Sequence, residues 1–173
     1  MHPRIILGAG LLTVALSACQ LAKPRVDGPP SIANPTALAA PQPPAPITAM
    51  RAVALLDAVC GASLPKFGTV DAAMRANGIT TATQTNALRG ATEEVSFRLA
   101  DGPGDGKTCA MTFGSTDGAD AVKSAFATLG AFKDTPLGLA TKYRGRAAIF
   151  IYDGPGQQIG QVQYYTVRLL SER

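Results

Sequence analysis

Eight prolines between Gln20 and Pro46 confine any fold of this 173-residue chain to the residues beyond them. Pro24, Pro29, Pro30, Pro35, Pro41, Pro43, Pro44 and Pro46 sit among Ala, Ser, Thr and Asn, with almost no large apolar side chain. Such a segment buries too little surface to offset the entropy of ordering it, so it is expected to stay open. Its prolines favour extended polyproline geometry, a spacer reaching up to roughly 80 Å at about 3.1 Å per residue. Residues 47–173 remain as one globular domain of ordinary size.

The stretch ahead of the spacer is read by its length and order. Ile5 to Leu16 is apolar, follows Arg4, and at about 12 residues is too short to cross a bilayer as a helix, which takes about 20. A charged start, an apolar middle and a small-residue end make a secretory signal. That end is Leu16-Ser17-Ala18-Cys19, which resembles the lipobox of bacterial lipoproteins. The resemblance covers only the first 20 or so residues. It implies removal of residues 1–18, a diacylglyceryl group on the Cys19 sulfur and acylation of the new amino terminus. Several acyl chains, each buried methylene adding about 0.8 kcal/mol, would then hold the chain to the bilayer. In the sorting rule that accompanies the resemblance, Asp after the cysteine favours the inner membrane, so Gln20 points to the outer membrane, with the domain in the periplasm. Lys23 and Arg25 would lie close enough to meet anionic headgroups.

The remaining thiols fit that address. With Cys19 lipidated, Cys60 and Cys109 are left in an oxidising compartment. A Cys60–Cys109 disulfide is predicted, with two buried free thiols as the alternative. No Cys-x-x-Cys spacing marks a redox pair.

Within the domain the pattern predicts three helices and five strands. Thr48 can cap a helix to Cys60, with Gly61 as a left-handed stop, and Ala49, Val53, Leu56 and Cys60 on one face. Thr69 can cap a short helix through Ala76, ended by Asn77-Gly78. Residues 80–90 read as a polar loop. Val95, Phe97 and Leu99 alternate with Glu94, Ser96 and Arg98, as in a half-buried strand. A Gly-rich connection, residues 101–107, leads to a partner strand with Cys109, Met111 and Phe113 inward. Ser115 or Thr116 can cap a third helix facing the core with Val122, Ala125, Phe126 and Leu129. Further strands lie near 139–143, 146–152 and 161–170, the first two joined by a tight turn at Arg144-Gly145. The strand 147–152 is apolar on both faces, which predicts a central, doubly covered position. Grouped helices and hairpin-linked strands argue an α+β domain: an antiparallel sheet of about five strands, N-terminal helices and one crossover helix. The order helix–β–β–helix–β–β–β is similar to that of PAS-like and profilin-like folds, a likeness that carries no function.

The chemistry is bounded by absences. His2 is the only histidine and lies in the predicted signal, so histidine-based triads and histidine-ligated zinc are excluded from the mature chain. There is no tryptophan to stack on sugars. The run Asp101 to Thr108 has Asp101 where a phosphate loop needs its first Gly, and it leads into a strand. As a calcium loop it has Pro103 and Thr112 at ligand positions. Asp153-Gly154-Pro155-Gly156 repeats its first four residues, and both read as turns. Glu93 and Glu94, adjacent on a strand, point to opposite faces and make no catalytic pair. No catalytic residue, metal or cofactor is expected.

Lys142, Arg144 and Arg146 alternate around a turn, with Lys133 nearby. They form the candidate patch for phosphate, lipid A or an acidic protein, or else a charged edge that resists aggregation. A formal net charge of +4 is too small to argue for nucleic acid. The expected partners are the bilayer, through Cys19, and an envelope protein or anionic polymer. The favoured reading is a non-catalytic, membrane-anchored envelope lipoprotein. A small-ligand sensor, an inhibitor of a cell-wall-degrading enzyme, and an enzyme working through Asp, Glu, Lys or Tyr stand beside it.

Overall fold

The computed structural model describes residues 42–102 and 106–171. The signal, Cys19, and the spacer as far as Pro41 lie outside the described residues. The fold is α+β. Helices α1 (Ala49–Val59), α2 (Val70–Ala76) and α3 (Ala119–Phe126) accompany an antiparallel sheet of eight strands. In chain order these are β1 (Ile79–Ala82), β2 (Leu88–Gly90), β3 (Val95–Asp101), β4 (Lys107–Ser115), β5 (Lys133–Thr135), β6 (Gly138–Lys142), β7 (Ala148–Ile159) and β8 (Val162–Ser171). Across the sheet they run β1-β2-β3-β4-β8-β7-β6-β5.

Eight strands, not about five, is the first correction. β1 and β2 occupy the stretch expected to be a polar loop, and β5 is the third addition. All three are short and near the sheet edges. In β1 only Ile79 is buried and in β5 nothing is, so no apolar alternation announces them. Asn86, at φ 56°, turns the chain between β1 and β2, and the Thr83 amide closes that loop on the Ala87 carbonyl at 2.9 Å.

Alternation places the inner face. Val95 pairs with Phe113 and Phe97 with Met111 across β3 and β4. Tyr165 and Val167 of β8 continue those rows, Tyr152 of β7 extends the second, and Cys109, Leu169 and Phe150 form the next row. All are buried in one cluster with α1 and α3. Leu99 departs from the expectation: it is 37% exposed. The Phe126 ring of α3 is the hub of this core, 5.5 Å from Phe150 and 5.8 Å from Phe113. Helix α3 has the predicted face but starts later. Gly118 precedes it, while Ser115 ends β4, fully buried, with its hydroxyl accepting from the Asp117 amide at 3.1 Å.

Helix α1 is capped as expected, Thr48 Oγ1 accepting from the Arg51 amide at 3.2 Å. Thr69 precedes α2 but does not cap it, and donates to Ser63 Oγ at 3.2 Å instead. Gly78, at φ 75°, ends that helix region. Gly61 is no left-handed stop; it opens a short 3-10 turn. Its lack of a side chain serves packing, because a Cβ there would collide with the Tyr143 hydroxyl. The spacer's end is pinned earlier than Ile47: the Ala45 amide donates to the Thr92 carbonyl at 2.8 Å and its carbonyl accepts from Glu94 at 2.7 Å.

Arg144 and Gly145, at φ 48° and 70°, form the predicted tight turn between β6 and β7, closed by the Arg146 amide on the Tyr143 carbonyl at 2.9 Å. Asp153–Gly156 is not a turn. It lies inside β7, where the register slips on either side of Pro155. A bulge absorbs the proline opposite Tyr165 of β8, past the last pairing of β7 with β6 at Tyr152. The reversal into β8 comes later, at Gly160-Gln161, with Gly160 at φ 60°.

Candidate functional site

Cys60, at the end of α1, and Cys109, in β4, form a disulfide with their Cα atoms 5.9 Å apart. Both are fully buried. The bridge ties the first helix to the inner face of the sheet, which is a structural role.

Of the predicted basic patch, Arg144 and Arg146 line one small opening together with Asp57, Gly61, Ala62 and Tyr143. Asp57 of α1 receives both the Tyr143 hydroxyl and the Arg144 guanidinium, the latter also through Nε at 3.3 Å. Burial first, and then the Asp57 carboxylate, holds the Tyr143 phenol far above its ordinary range; the Asp57 hydrogen bond raises Arg144. Arg146 Nη1 donates to the Gly61 carbonyl at 3.3 Å. The turn is thus latched onto the end of α1. Lys142 is exposed and has no ion-pair partner among the described residues. Glu93 and Glu94 also go separate ways. Glu93 grips Arg51 through two hydrogen bonds, at 2.8 and 3.0 Å, and Glu94 accepts from the Tyr164 hydroxyl at 3.3 Å. At the end of the β3–β4 pair Asp101 is held by Lys107, whose ammonium lowers the carboxyl below its usual range.

A candidate binding surface is the outer face of the sheet, which α1 and α3 do not cover. The same period of two that turns Phe97 and Met111 inward turns Ser96, Arg98, Ala110 and Thr112 outward. Registers carry those rows onto Thr166 and Arg168 of β8 and onto Arg89 of β2. The result is an open groove of about 350 Å³ between Thr85 and Arg168, floored by Ser96, Ala110, Thr112 and Thr166. A second groove shares Thr112 and Thr166 and runs to Tyr164, Gly156 and Ile159, the last 56% exposed. Thr112 and Thr166 hydrogen-bond each other across the strands at 3.1 Å.

Charges on this face are unequal in availability. Arg168 binds both oxygens of Asp153 in β7, one at 2.9 Å, and the carbonyl of Leu137, between β5 and β6, at 3.3 Å. It passes the row of Ile151, which is 1% exposed although it faces outward. Burial on both faces of β7, as predicted, therefore holds at this position. Arg89 and Arg98 are exposed and have no ion-pair partner among the described residues. The positive charge of Arg89 reaches Tyr164, whose phenol burial and Glu94 nonetheless raise. Two available guanidiniums, a row of hydroxyls, an aromatic edge and an exposed isoleucine suit recognition of an anionic, extended ligand by fork-like hydrogen bonds and side-chain contact.

The sequence carries a signal for part of this surface. Arg98 and Ser96 belong to the outward half of a predicted strand, but the Arg89 strand has no apolar alternation to orient it. No protein-family model, curated protein or solved structure matches this chain.

Proposed function

We propose that this chain is a lipid-anchored envelope module that holds an anionic protein or polymer on the outer face of its sheet, at Arg89 and Arg98. The observation that carries the reading is the asymmetry of the sheet. One face is filled by Phe113, Phe126, Phe150 and Leu56, each no more than 1% exposed. The other carries a row of half-buried hydroxyls and leaves Arg89 and Arg98 without ion pairs among the described residues. The Leu16-Ser17-Ala18-Cys19 motif and its spacer supply the anchor, and Gln20 favours the outer membrane. A PAS-like or profilin-like sensor would need a closed pocket between sheet and helices, where aromatic rings now pack. The inhibitor reading loses one of its presenting loops, since Asp153–Gly156 is a bulge within β7.

Two variants test the proposal in one fractionation experiment on the full chain expressed in a lipoprotein-processing bacterium. Cys19→Ala should release the protein from the membrane pellet or leave it unprocessed. Arg98→Glu should stay in the pellet, yet capture of its envelope partner by crosslinking should fall about tenfold and be salt-sensitive in the parent. Membrane retention of a correctly cleaved Cys19→Ala protein would remove the anchor, and undiminished crosslinking of Arg98→Glu would remove the sheet face.

A further inference from the structure

A second cleft lies on the opposite side of β7 from the sheet-face groove. The first turn of α3, the β5–β6 hairpin and the Tyr152–Pro155 stretch line an opening of about 330 Å³, within the roughly 300–1,000 Å³ typical of small-ligand sites. Asp153 on its margin is already satisfied by Arg168. Asp120, Lys123 and Asp134 also line it, and none has an ion-pair partner among the described residues. Charges of both signs therefore stand around one cleft without neutralising each other.

Tyr152 supplies an independent observation. It lines the same cleft, is only 4% exposed, and its buried hydroxyl has no hydrogen-bond partner among the described residues. The ring is fixed by Phe126 and Phe132, with centroids at 6.2 and 6.1 Å, so the hydroxyl has little freedom to search. The nearby Tyr165 hydroxyl is committed to the Asp117 carbonyl at 3.2 Å. Burial first, then Tyr165 and Asp120, push the Tyr152 phenol up to about 12, so at neutral pH it carries its proton and is a donor in want of an acceptor. Buried polar atoms without partners are rare and ask for an explanation.

We propose that this cleft binds a small zwitterion, an amino acid or a free dipeptide, whose carboxylate accepts from Tyr152 and meets Lys123 and whose ammonium is met by Asp120 and Asp134. A simple anion would face two carboxylates, and a simple cation would leave the phenol proton without an acceptor. A molecule carrying both charges satisfies every group at once.

Titration of the purified full chain with alanyl-alanine, its N-acetylated form and its C-terminal amide tests this directly. The free dipeptide should bind, and each blocked form should bind about tenfold more weakly, the loss of one charged hydrogen bond. Tyr152→Phe should weaken the free dipeptide several-fold while melting at or above the parent temperature, because it removes an unsatisfied buried hydroxyl. Lys123→Ala, on the exposed helix surface, gives a second variant whose folding is not at risk. Equal binding of blocked and free dipeptides, absence of binding at millimolar concentration, or parent-like affinity in both variants would overturn the proposal.

Discussion

Cys60→Ser should lower the stability of the oxidised protein by about 4 kcal/mol, the chain-entropy value for a closed loop of this size. The bridged residues are 49 apart in sequence and both fully buried, one at the end of α1 and one in β4. Without the bond the unfolded chain regains the freedom that the loop denied it, and the helix loses its covalent hold on the sheet. The substituted hydroxyl would also enter a fully buried, apolar site, a further cost of about 1–3 kcal/mol if it finds no partner. Urea unfolding of parent and variant, with and without reductant, reads the effect. The parent should fall towards the variant when reduced, and coincident midpoints under oxidising conditions would contradict the assignment.

Phe126→Ala should cost about 3–5 kcal/mol, as large-to-small changes at buried aromatic sites do. The ring is fully buried and meets Phe113, Phe150 and Tyr152 together. Helix α3 is eight residues long, too short to persist without tertiary support, so its hold on the sheet depends on this side chain with Val122 and Leu129. The melting temperature should drop by roughly 10 °C or more. A loss below about 1 kcal/mol would mean that the aromatic cluster is not the centre of the core.

The parts of the fold legible in the sequence are those where burial imposes a period. Val122, Ala125 and Phe126 repeat at helical spacing, and Val95, Phe97, Met111 and Phe113 alternate, because each set must meet the same core. β1, β2 and β5 bury almost nothing and leave no such trace; only the β-branched run Thr80, Thr81 and Thr83 hints at strand. Glycine signals backbone freedom in a sequence, and that cause holds at Gly78 and Gly145. At Gly61 the cause is instead a contact with Tyr143, far along the chain, which no local pattern contains. Gly154-Pro155 does interrupt regular structure, but as a bulge in a long strand rather than its end.

The candidate site divides in the same way. Lys142, Arg144 and Arg146 are close in sequence and so are conspicuous, yet Arg144 and Arg146 turn back onto α1. Arg89 and Arg98 belong to neighbouring strands, in a pairing of Arg89 with Ser96 that only the register of β2 on β3 establishes. The orphaned hydroxyl of Tyr152 depends on packing from α3 and Phe132, and is invisible in one dimension.

Arginine-selective labelling of the full chain on isolated envelopes tests the sheet-face account most directly. Arg89 and Arg98 should become protected when envelope material is added, while Arg75 on the exposed side of α2 continues to react. Unchanged labelling of Arg89 and Arg98 in envelope-bound protein would contradict it.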